Sequence, residues 1–196
     1  MSNTAPKPEM DERIRGHKGL GLIQMFEGHG KGKTTAALGE AIRAVGAALK
    51  VAIIYFDKGG ENYNERRAMS SYLQEQIDVH PTGRDRIDEQ GRFDFSITEL
   101  DKQEGARGLS ILQRLFKEWR HDLIVLDELN SSADLGIVDV DAAVKLIQSK
   151  PEGLELVITG RNAPEPLRTL AHLITEMKLQ KHYFYSGVKA REGIDF

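Results

Sequence analysis

A glycine-rich stretch between an apolar run and a helical pattern constrains the fold of this chain more than any other feature. The apolar run covers residues 20–26, and the helical pattern covers residues 36–49. The stretch consists of Gly28, His29, Gly30, Lys31, Gly32, Lys33, Thr34 and Thr35. A helix that begins just after a glycine loop directs free N–H groups and the positive end of its dipole at an anion. We therefore predict that this loop binds nucleotide phosphates.

Two side chains of the loop have predicted catalytic roles. Lys33 is expected to reach the outer phosphates as a point charge, and Thr34 to offer its hydroxyl group to Mg²⁺. The loop departs from the usual G-x-x-x-x-G-K-[ST] spacing, because Glu27 stands where the first glycine is expected. A carboxylate there repels a triphosphate unless it turns away. The alternative interpretation is a glycine-rich turn that binds nothing.

Length and composition exclude several classes of protein. The chain has 196 residues, of which 40% are hydrophobic, and its net charge is −3. This charge gives no general basic surface for nucleic acid. No apolar run is long enough for a membrane span, and the amino terminus lacks the apolar core of a signal peptide. The absence of cysteine excludes disulfides and thiolate metal sites and fits a cytoplasmic protein.

Apolar runs and helical patterns alternate along most of the chain, which predicts an α/β fold with a mostly parallel sheet and helices on both faces. We divide the chain into a mobile arm at residues 1–18 and one domain at residues 19–196. Residues 93–97 are a further short strand or part of a loop. The expected strands are 20–26, 51–56, 77–80, 123–126, 154–159 and 174–177, and the expected helices are 34–49, 64–76, 105–119, 139–149 and 164–173.

Charged side chains follow several of the predicted strands. Asp127 and Glu128 come directly after a buried apolar run and resemble a Walker B segment, in which one carboxylate holds Mg²⁺ opposite the hydroxyl of the phosphate loop. In a hydrolase the second carboxylate would orient water. Lys58 either reaches a phosphate or is a solvated loop lysine. Arg161 either clamps a phosphate or is a surface arginine. Six histidines have no metal-ligand spacing, and only His29 lies inside the loop.

These segments resemble the P-loop ATP:corrinoid adenosyltransferases, the family named for cob(I)alamin adenosyltransferase. Members of this family share the shortened loop. Generic P-loop ATPases lack the segments that correspond to residues 159–164 and 186–196. The resemblance covers about residues 20 to 196. It rests on the loop at residues 28–37, on residues 43–46 beginning with Arg43, and on residues 58–59, 65–66, 126–129, 159–164 and 186–196.

The resemblance implies a RecA-like domain, usually a homodimer, that transfers the 5′-deoxyadenosyl group of ATP to Co(I) of cobalamin or a corrinoid precursor and releases triphosphate. The resemblance also implies Mg²⁺ as the cofactor and a reductant such as flavodoxin that supplies Co(I). The family binds ATP with its phosphates in a reversed sense on the loop. Co(I) carries no proton, so the reaction requires no general base, and Lys31 and Lys33 help to neutralise the leaving triphosphate. Arg43 joins the nucleotide-binding residues on the same basis.

The chain departs from the family pattern at two places. Glu27 replaces a small hydroxyl residue. The family also has an aromatic pair in a G-F-T-W-like loop that helps displace the lower ligand of cobalt, whereas residues 81–87 contain no aromatic residue. Phe93 and Phe95 either take over this role or belong to a small strand core.

Two other functions stay open. The first is a P-loop ATPase or kinase in which Glu128 orients water or substrate, and the second is a non-catalytic module that binds ATP or a corrinoid.

Overall fold

The computed structural model describes residues 8–61, 63–86 and 94–195, which form one sheet flanked by helices. Residues 1–7 of the predicted arm and Phe93 lie outside the described residues. The strands are β1 (Ile23–Glu27), β2 (Val51–Tyr55), β3 (Ile77–Pro81), β4 (Leu123–Asp127), β5 (Glu155–Gly160) and β6 (Leu173–Glu176). The helices are α1 (Lys33–Gly46), α2 (Asn64–Tyr72), α3 (Glu99–Glu118), α4 (Leu129–Asp134), α5 (Val140–Gln148) and α6 (Glu165–Arg168).

The six strands form one parallel sheet in the order β3-β2-β4-β5-β1-β6. Every residue of β2, β4 and β5 is buried, as expected of central strands covered on both faces. Since parallel strands end at the same edge of a sheet, the segments that follow β1, β2, β4 and β5 meet there. The predicted α/β fold with a parallel sheet is confirmed.

Two apolar cores lie on opposite faces of the sheet. One includes Ala37 and Ala41 of α1 and Met69 of α2, together with one set of strand side chains. The other includes Leu112 and Phe116 of α3 and residues of α4, α5 and α6. Helices therefore cover both faces, as predicted, and α1 brings the glycine loop to the carboxyl edge of the sheet.

The structure corrects several predicted boundaries. β1 begins at Ile23 rather than at residue 20, because Gly19 and Gly21 have φ angles of 84° and 127°. α2 ends at Tyr72 instead of residue 76, and residues 94–98 form neither helix nor strand. α3 ends at Glu118, and Trp119, at the end of the predicted helix, has a left-handed φ of 44° and is 60% exposed.

The described part of the amino-terminal arm contacts the domain. A single 3-10 turn covers Glu12–Ile14, and the guanidinium group of Arg13 donates hydrogen bonds to the carbonyl oxygens of Thr169 and Ala171 at 2.9 and 3.2 Å. This contact places the turn beside the segment between α6 and β6. No helix among the residues that the structure describes has the length and apolar character needed to cross a membrane.

Candidate active site

The glycine loop rests on the backbone of Met177, the residue that follows β6. The N–H group of Gly30 donates a hydrogen bond to the Met177 carbonyl oxygen at 2.7 Å. A Cβ atom at Gly28 or Gly30 would stand 2.7 or 2.6 Å from the same oxygen, closer than any side chain tolerates. Gly32 has a φ of 117° and precedes α1 directly. Glycine is therefore required here both by close packing and by backbone conformation.

Lys33 lies in the first turn of α1 and is almost fully buried, with 7% of its surface exposed. Its ammonium group donates a hydrogen bond to the carbonyl oxygen of Gly30 at 2.9 Å. Burial lowers the pKa of Lys33, and the nearby Glu128 carboxylate opposes this shift. The ammonium group thus points back into the loop, where the phosphates of a nucleotide are expected.

The structure explains how Glu27 is compatible with a phosphate loop. Its carboxylate forms an ion pair with the guanidinium group of Arg168 at the end of α6, and the residue is 8% exposed. The negative charge is therefore neutralised by a cation beside the loop. The carboxylate of Glu27 is thus turned toward Arg168, and its repulsion of a triphosphate in the loop is reduced.

A compact centre of charge lies where β2 and β4 end. The ammonium nitrogen of Lys58 lies 3.1 Å from Thr34 Oγ1, 2.5 Å from Asp127 Oδ2 and 3.8 Å from Glu128 Oε1. Asp127 is fully buried, and its second carboxylate oxygen accepts a hydrogen bond from Thr159 Oγ1 at 2.7 Å. β2 and β4 are neighbours in the sheet, which is why Lys58 reaches these acids. β5 lies between β1 and β4 and contributes Thr159.

Glu128 is held in a fixed orientation at the start of α4. Its φ of 59° is left-handed, and its N–H group donates to Thr159 Oγ1 at 2.9 Å. Ser131 Oγ donates to Glu128 Oε2 at 2.5 Å and accepts a hydrogen bond from the N–H group of Arg161 at 2.9 Å. Sequence reasoning named Arg161 as a site residue but gave no role to Ser131 in α4 or to Thr159 near the end of β5, because a single hydroxyl residue forms no recognisable pattern.

The donors of this centre suit a magnesium ion. Burial disfavours the ammonium group of Lys58, but the carboxylates of Asp127 and Glu128 raise its pKa to about 12, so a cation is stable at this point. A hydroxyl oxygen and two carboxylates are the hard ligands that Mg²⁺ prefers. Among the described residues there is no group of three or more His, Cys, Asp or Glu side chains suited to a metal. The chemistry fits an ion that is also bound by water and substrate phosphates.

The carboxyl-terminal segment closes over the glycine loop through Lys31. The ammonium group of Lys31 donates hydrogen bonds to Tyr183 Oη at 3.1 Å and to the carbonyl oxygen of Ile194 at 2.9 Å, and it forms an ion pair with Asp195. Asp195 also accepts hydrogen bonds from Tyr183 Oη and from Arg191, whose guanidinium group lies 4.7 Å from the Tyr183 ring centre. Sequence reasoning assigned these closing residues no role in the site.

Replacing Asp195 by alanine is expected to release the backbone around Lys189 and Arg191, whose side chains are already exposed, so that this segment can enter the active site of a protease. Hydrogen bonds from Lys31 and Tyr183 hold the pKa of Asp195 well below its usual range, so docking persists as the pH falls through that range and is lost only as it falls through the lowered pKa. We expect the variant to be cut by trypsin about 10-fold faster at neutral pH. The exposed neighbour Glu192, changed to alanine, is the control. Equal cleavage of the two variants would contradict the docking role.

A cavity of about 1030 Å³ extends from the glycine loop to the carboxyl-terminal segment. The loop residues His29 to Thr35 line it, together with Lys58, Glu128 and Arg161. His29 Nε2 lies 3.1 Å from Asn162 Oδ1. Three exposed aromatic residues also line it, and these are Phe95, Phe184 and Tyr185. The cavity lining thus combines the charged phosphate loop with exposed aromatic side chains.

The structure does not bring Arg43 to this site. Arg43 is exposed in the last turn of α1, ten residues after Lys33, which corresponds to about 15 Å along the helix axis. It is not among the residues that line the cavity. The other predicted site residues line the cavity, with two exceptions: Gly28 packs against the backbone of Met177, and Asp127 is buried and contacts Lys58, which does line the cavity.

A parallel sheet with a glycine loop after its first strand, and an acidic pair opposite the loop threonine, defines a P-loop nucleotide-binding protein. Residues 19–196 match the sequence model of the family described as ATP:corrinoid adenosyltransferase BtuR/CobO/CobP. The chain therefore belongs to this family of ATP:corrinoid adenosyltransferases, and the resemblance found in its sequence is confirmed.

Two curated relatives show how far the similarity extends. A corrinoid adenosyltransferase of Escherichia coli (strain K12) is 32% identical over 191 residues, which are 97% of this chain and 93% of the relative. An uncharacterised protein of Nostoc sp. is 36% identical over 184 residues, which are 89% of this chain. The chain spans only 48% of the length of the Nostoc protein.

Among solved structures, a KaiC-like protein of Pyrococcus horikoshii has a similar fold. The TM-score is 0.54 at 17% sequence identity, and the match covers 83% of this chain and 75% of that protein. At this identity the likeness concerns the fold alone. It supports the RecA-like P-loop architecture predicted from the sequence.

Proposed function

We propose that this protein transfers the 5′-deoxyadenosyl group of ATP to Co(I) of a corrinoid and releases triphosphate. The observation that carries the proposal is one cavity that joins a phosphate loop to an exposed aromatic surface. The family membership of the chain supports the same reaction. A nucleotide and a large, flat second substrate would meet inside this cavity.

On the nucleotide side, Lys33 and the N–H groups of the glycine loop bind the triphosphate. Thr34, Asp127 and Glu128 would hold Mg²⁺, which supplies positive charge to the leaving phosphates. His29 and Arg161 line the same cavity as the loop and would add hydrogen-bond donors to the phosphate site. The residues at this end are therefore suited to stabilising negative charge, which electrostatic catalysis of this reaction requires.

The reaction is balanced without a general acid or base. Co(I) attacks the C5′ carbon with its electron pair, the C5′–O5′ bond breaks, and triphosphate leaves with the bonding electrons. Cobalt becomes alkylated Co(III), and no proton has to be removed from the nucleophile. The tasks of the protein are to neutralise the leaving group and to align C5′ with cobalt.

On the corrinoid side, the exposed aromatic residues of the cavity form the contact surface. Phe95, Phe184 and Tyr185 are 83%, 66% and 78% exposed, and all three line the cavity, so they offer apolar surface to a second substrate. The aromatic pair typical of the family is missing from residues 81–87, and Phe95 lies on the segment that follows. We propose that Phe95 contacts the corrin in its place. Phe93 lies outside the described residues.

Replacing Phe95 by alanine is expected to raise KM for the corrinoid about 10-fold, because an aromatic contact surface is lost, while ATP affinity stays within about twofold. Tyr72 is a matched control, since it is equally exposed at 83% but borders a separate cavity of about 420 Å³ beside the end of α1. Steady-state kinetics on Tyr72→Ala should equal those of the wild type. Identical corrinoid KM values for both variants would remove Phe95 from the corrinoid site.

The direct test is anaerobic incubation with Mg·ATP and chemically reduced cob(I)alamin, in which the corrinoid spectrum and the phosphate products are followed together. Adenosylcobalamin with an equal amount of triphosphate is the expected result. ADP and phosphate with an unchanged corrinoid would instead indicate a P-loop ATPase. Bound ATP without any product would indicate a binding module. We also propose that the protein forms a homodimer, that a reductant such as flavodoxin supplies Co(I), and that the protein lies in the cytoplasm.

A further inference from the structure

The position of Lys58 has a consequence that the adenosyl transfer does not itself require. Its ammonium group lies among Thr34, Asp127 and Glu128, at distances of 3.1, 2.5 and 3.8 Å from one oxygen of each. These are the same three side chains that would hold Mg²⁺. The ammonium group of Lys58 and the metal ion that binds with the nucleotide would therefore compete for the same three oxygen ligands.

We propose that Lys58 holds the place of the metal in the nucleotide-free protein and is displaced toward the phosphates when Mg·ATP binds. Lys58 is then a positioning residue, because it keeps the buried carboxylates paired until the substrate arrives. The inference rests on the magnesium site of the proposed function, but it does not depend on which substrate receives the adenosyl group.

The backbone around Lys58 is fixed, so only its side chain is free to exchange partners. The N–H group of Lys58 donates to the carbonyl oxygen of Thr82 at 2.9 Å. A Cβ atom at Gly59 would stand 2.2 Å from the carbonyl oxygen of Gly83, so the two backbone segments pack directly against each other. The base of the side chain is thus anchored between two packed segments.

Arg66 anchors the same segment from the other side. Its guanidinium group donates hydrogen bonds to the carbonyl oxygens of Lys58 and Gly60, the latter at 3.0 Å. It lies 4.6 Å from the ring centre of Tyr55 and 4.3 Å from that of Tyr63, between two aromatic faces. The loop that carries Lys58 is therefore held by hydrogen bonds and stacking that do not involve its ammonium group.

The cavity gives the side chain of Lys58 space into which it can move. Lys58 lines the same cavity as the glycine loop, and its side chain is 15% exposed at the cavity wall. Four methylene groups allow the ammonium group to move several ångströms while the backbone stays in place. Asp127 cannot follow it, because Thr159 holds its second oxygen at 2.7 Å. Displacement would therefore separate the ammonium group from both carboxylates and bring it to the phosphates.

The experiment measures Mn²⁺ binding to the full chain without nucleotide, by electron paramagnetic resonance of the free ion. Wild-type protein is expected to bind Mn²⁺ weakly, because its carboxylates are already paired. Lys58→Met should bind Mn²⁺ about 10-fold more tightly or better, since the competing charge is gone. Lys58→Gln, which keeps a hydrogen-bond donor but loses the charge, should show the same gain, whereas Lys58→Arg should stay near the wild type.

Lys102→Met is the matched control. Lys102 is an exposed lysine of α3 paired with Glu99, and its removal changes the net charge equally without approaching the site. An equal gain in this control, or no gain in either neutral Lys58 variant, would overturn the proposal. Tight Mn²⁺ binding by the nucleotide-free wild type would overturn it without any variant. Mn²⁺ binding to wild-type protein saturated with ATP tests whether the metal site exists at all. Absence of binding there would contradict the proposed magnesium site, whereas binding there with no gain in the Lys58 variants would contradict only the displacement of Lys58.

Discussion

Replacing Lys33 by alanine is expected to lower kcat/KM for ATP by about 10²–10³-fold, with little change in the folded structure. The ammonium group of Lys33 contacts the carbonyl oxygen of Gly30 inside the loop, so its removal takes away the charge closest to the expected phosphates. Burial also places this charge in a region of low dielectric constant, where it contributes more than a surface lysine does. Isothermal titration with Mg·ATP and steady-state kinetics measure the two parts of the loss.

Lys50→Ala serves as the control for this variant. Lys50 is exposed and donates its hydrogen bond to the carbonyl oxygen of Glu75, just before β2 begins and therefore at the amino end of the sheet, opposite the loop. ATP binding by this control should equal that of the wild type. If the Lys33 variant kept its fold and its full kcat/KM, the glycine loop would have no part in the mechanism.

Replacing Asp127 by asparagine is expected to reduce both activity and stability. The variant leaves the ammonium group of Lys58 facing a neutral amide in a buried position, which costs about 3 kcal/mol in the free energy of unfolding. It also removes one of the two carboxylates that would hold Mg²⁺, so we expect kcat to fall about 100-fold and the Mg²⁺ requirement to rise. Denaturant unfolding and a magnesium titration of the rate measure these effects separately.

Glu128→Gln distinguishes the two roles of the acidic pair. The Glu128 side chain is 25% exposed and lies 3.8 Å from Lys58, so its neutralisation should affect stability much less than that of Asp127. The magnesium dependence of the rate should nevertheless shift in the same direction. Unaltered magnesium titrations in both variants would mean that neither carboxylate holds the ion.

Local patterns predicted the parts of the site that are continuous in the chain. The glycine loop is recognisable because a strand, the loop and a helix follow one another, and Asp127 is recognisable because it ends a buried strand. The function was predicted from these segments together with the specific closing residues of the chain, and the family match confirms that resemblance.

Contacts between distant segments could not be predicted in the same way. Lys58 meets Asp127 only because β2 and β4 are neighbours in the sheet, and strand order is not visible in a local pattern. Asp195 meets Lys31 across 164 residues of sequence. Arg43 was named from the family resemblance, and in the structure α1 carries it about 15 Å along the helix axis from Lys33, outside the residues that line the cavity. The six residues of α4 are too few to show a helical period.

The cysteine-free composition of the chain does not make its phosphate loop inert to oxidants. The sulfur of Met177 lies 3.3 Å from the point where a Cβ atom at Gly32 would stand, and the backbone of Met177 supports Gly30. Peroxide converts a thioether into a polar sulfoxide, and the added oxygen would need space that the loop occupies. Loss of activity after peroxide treatment would then be reversible by methionine sulfoxide reductase rather than by a thiol.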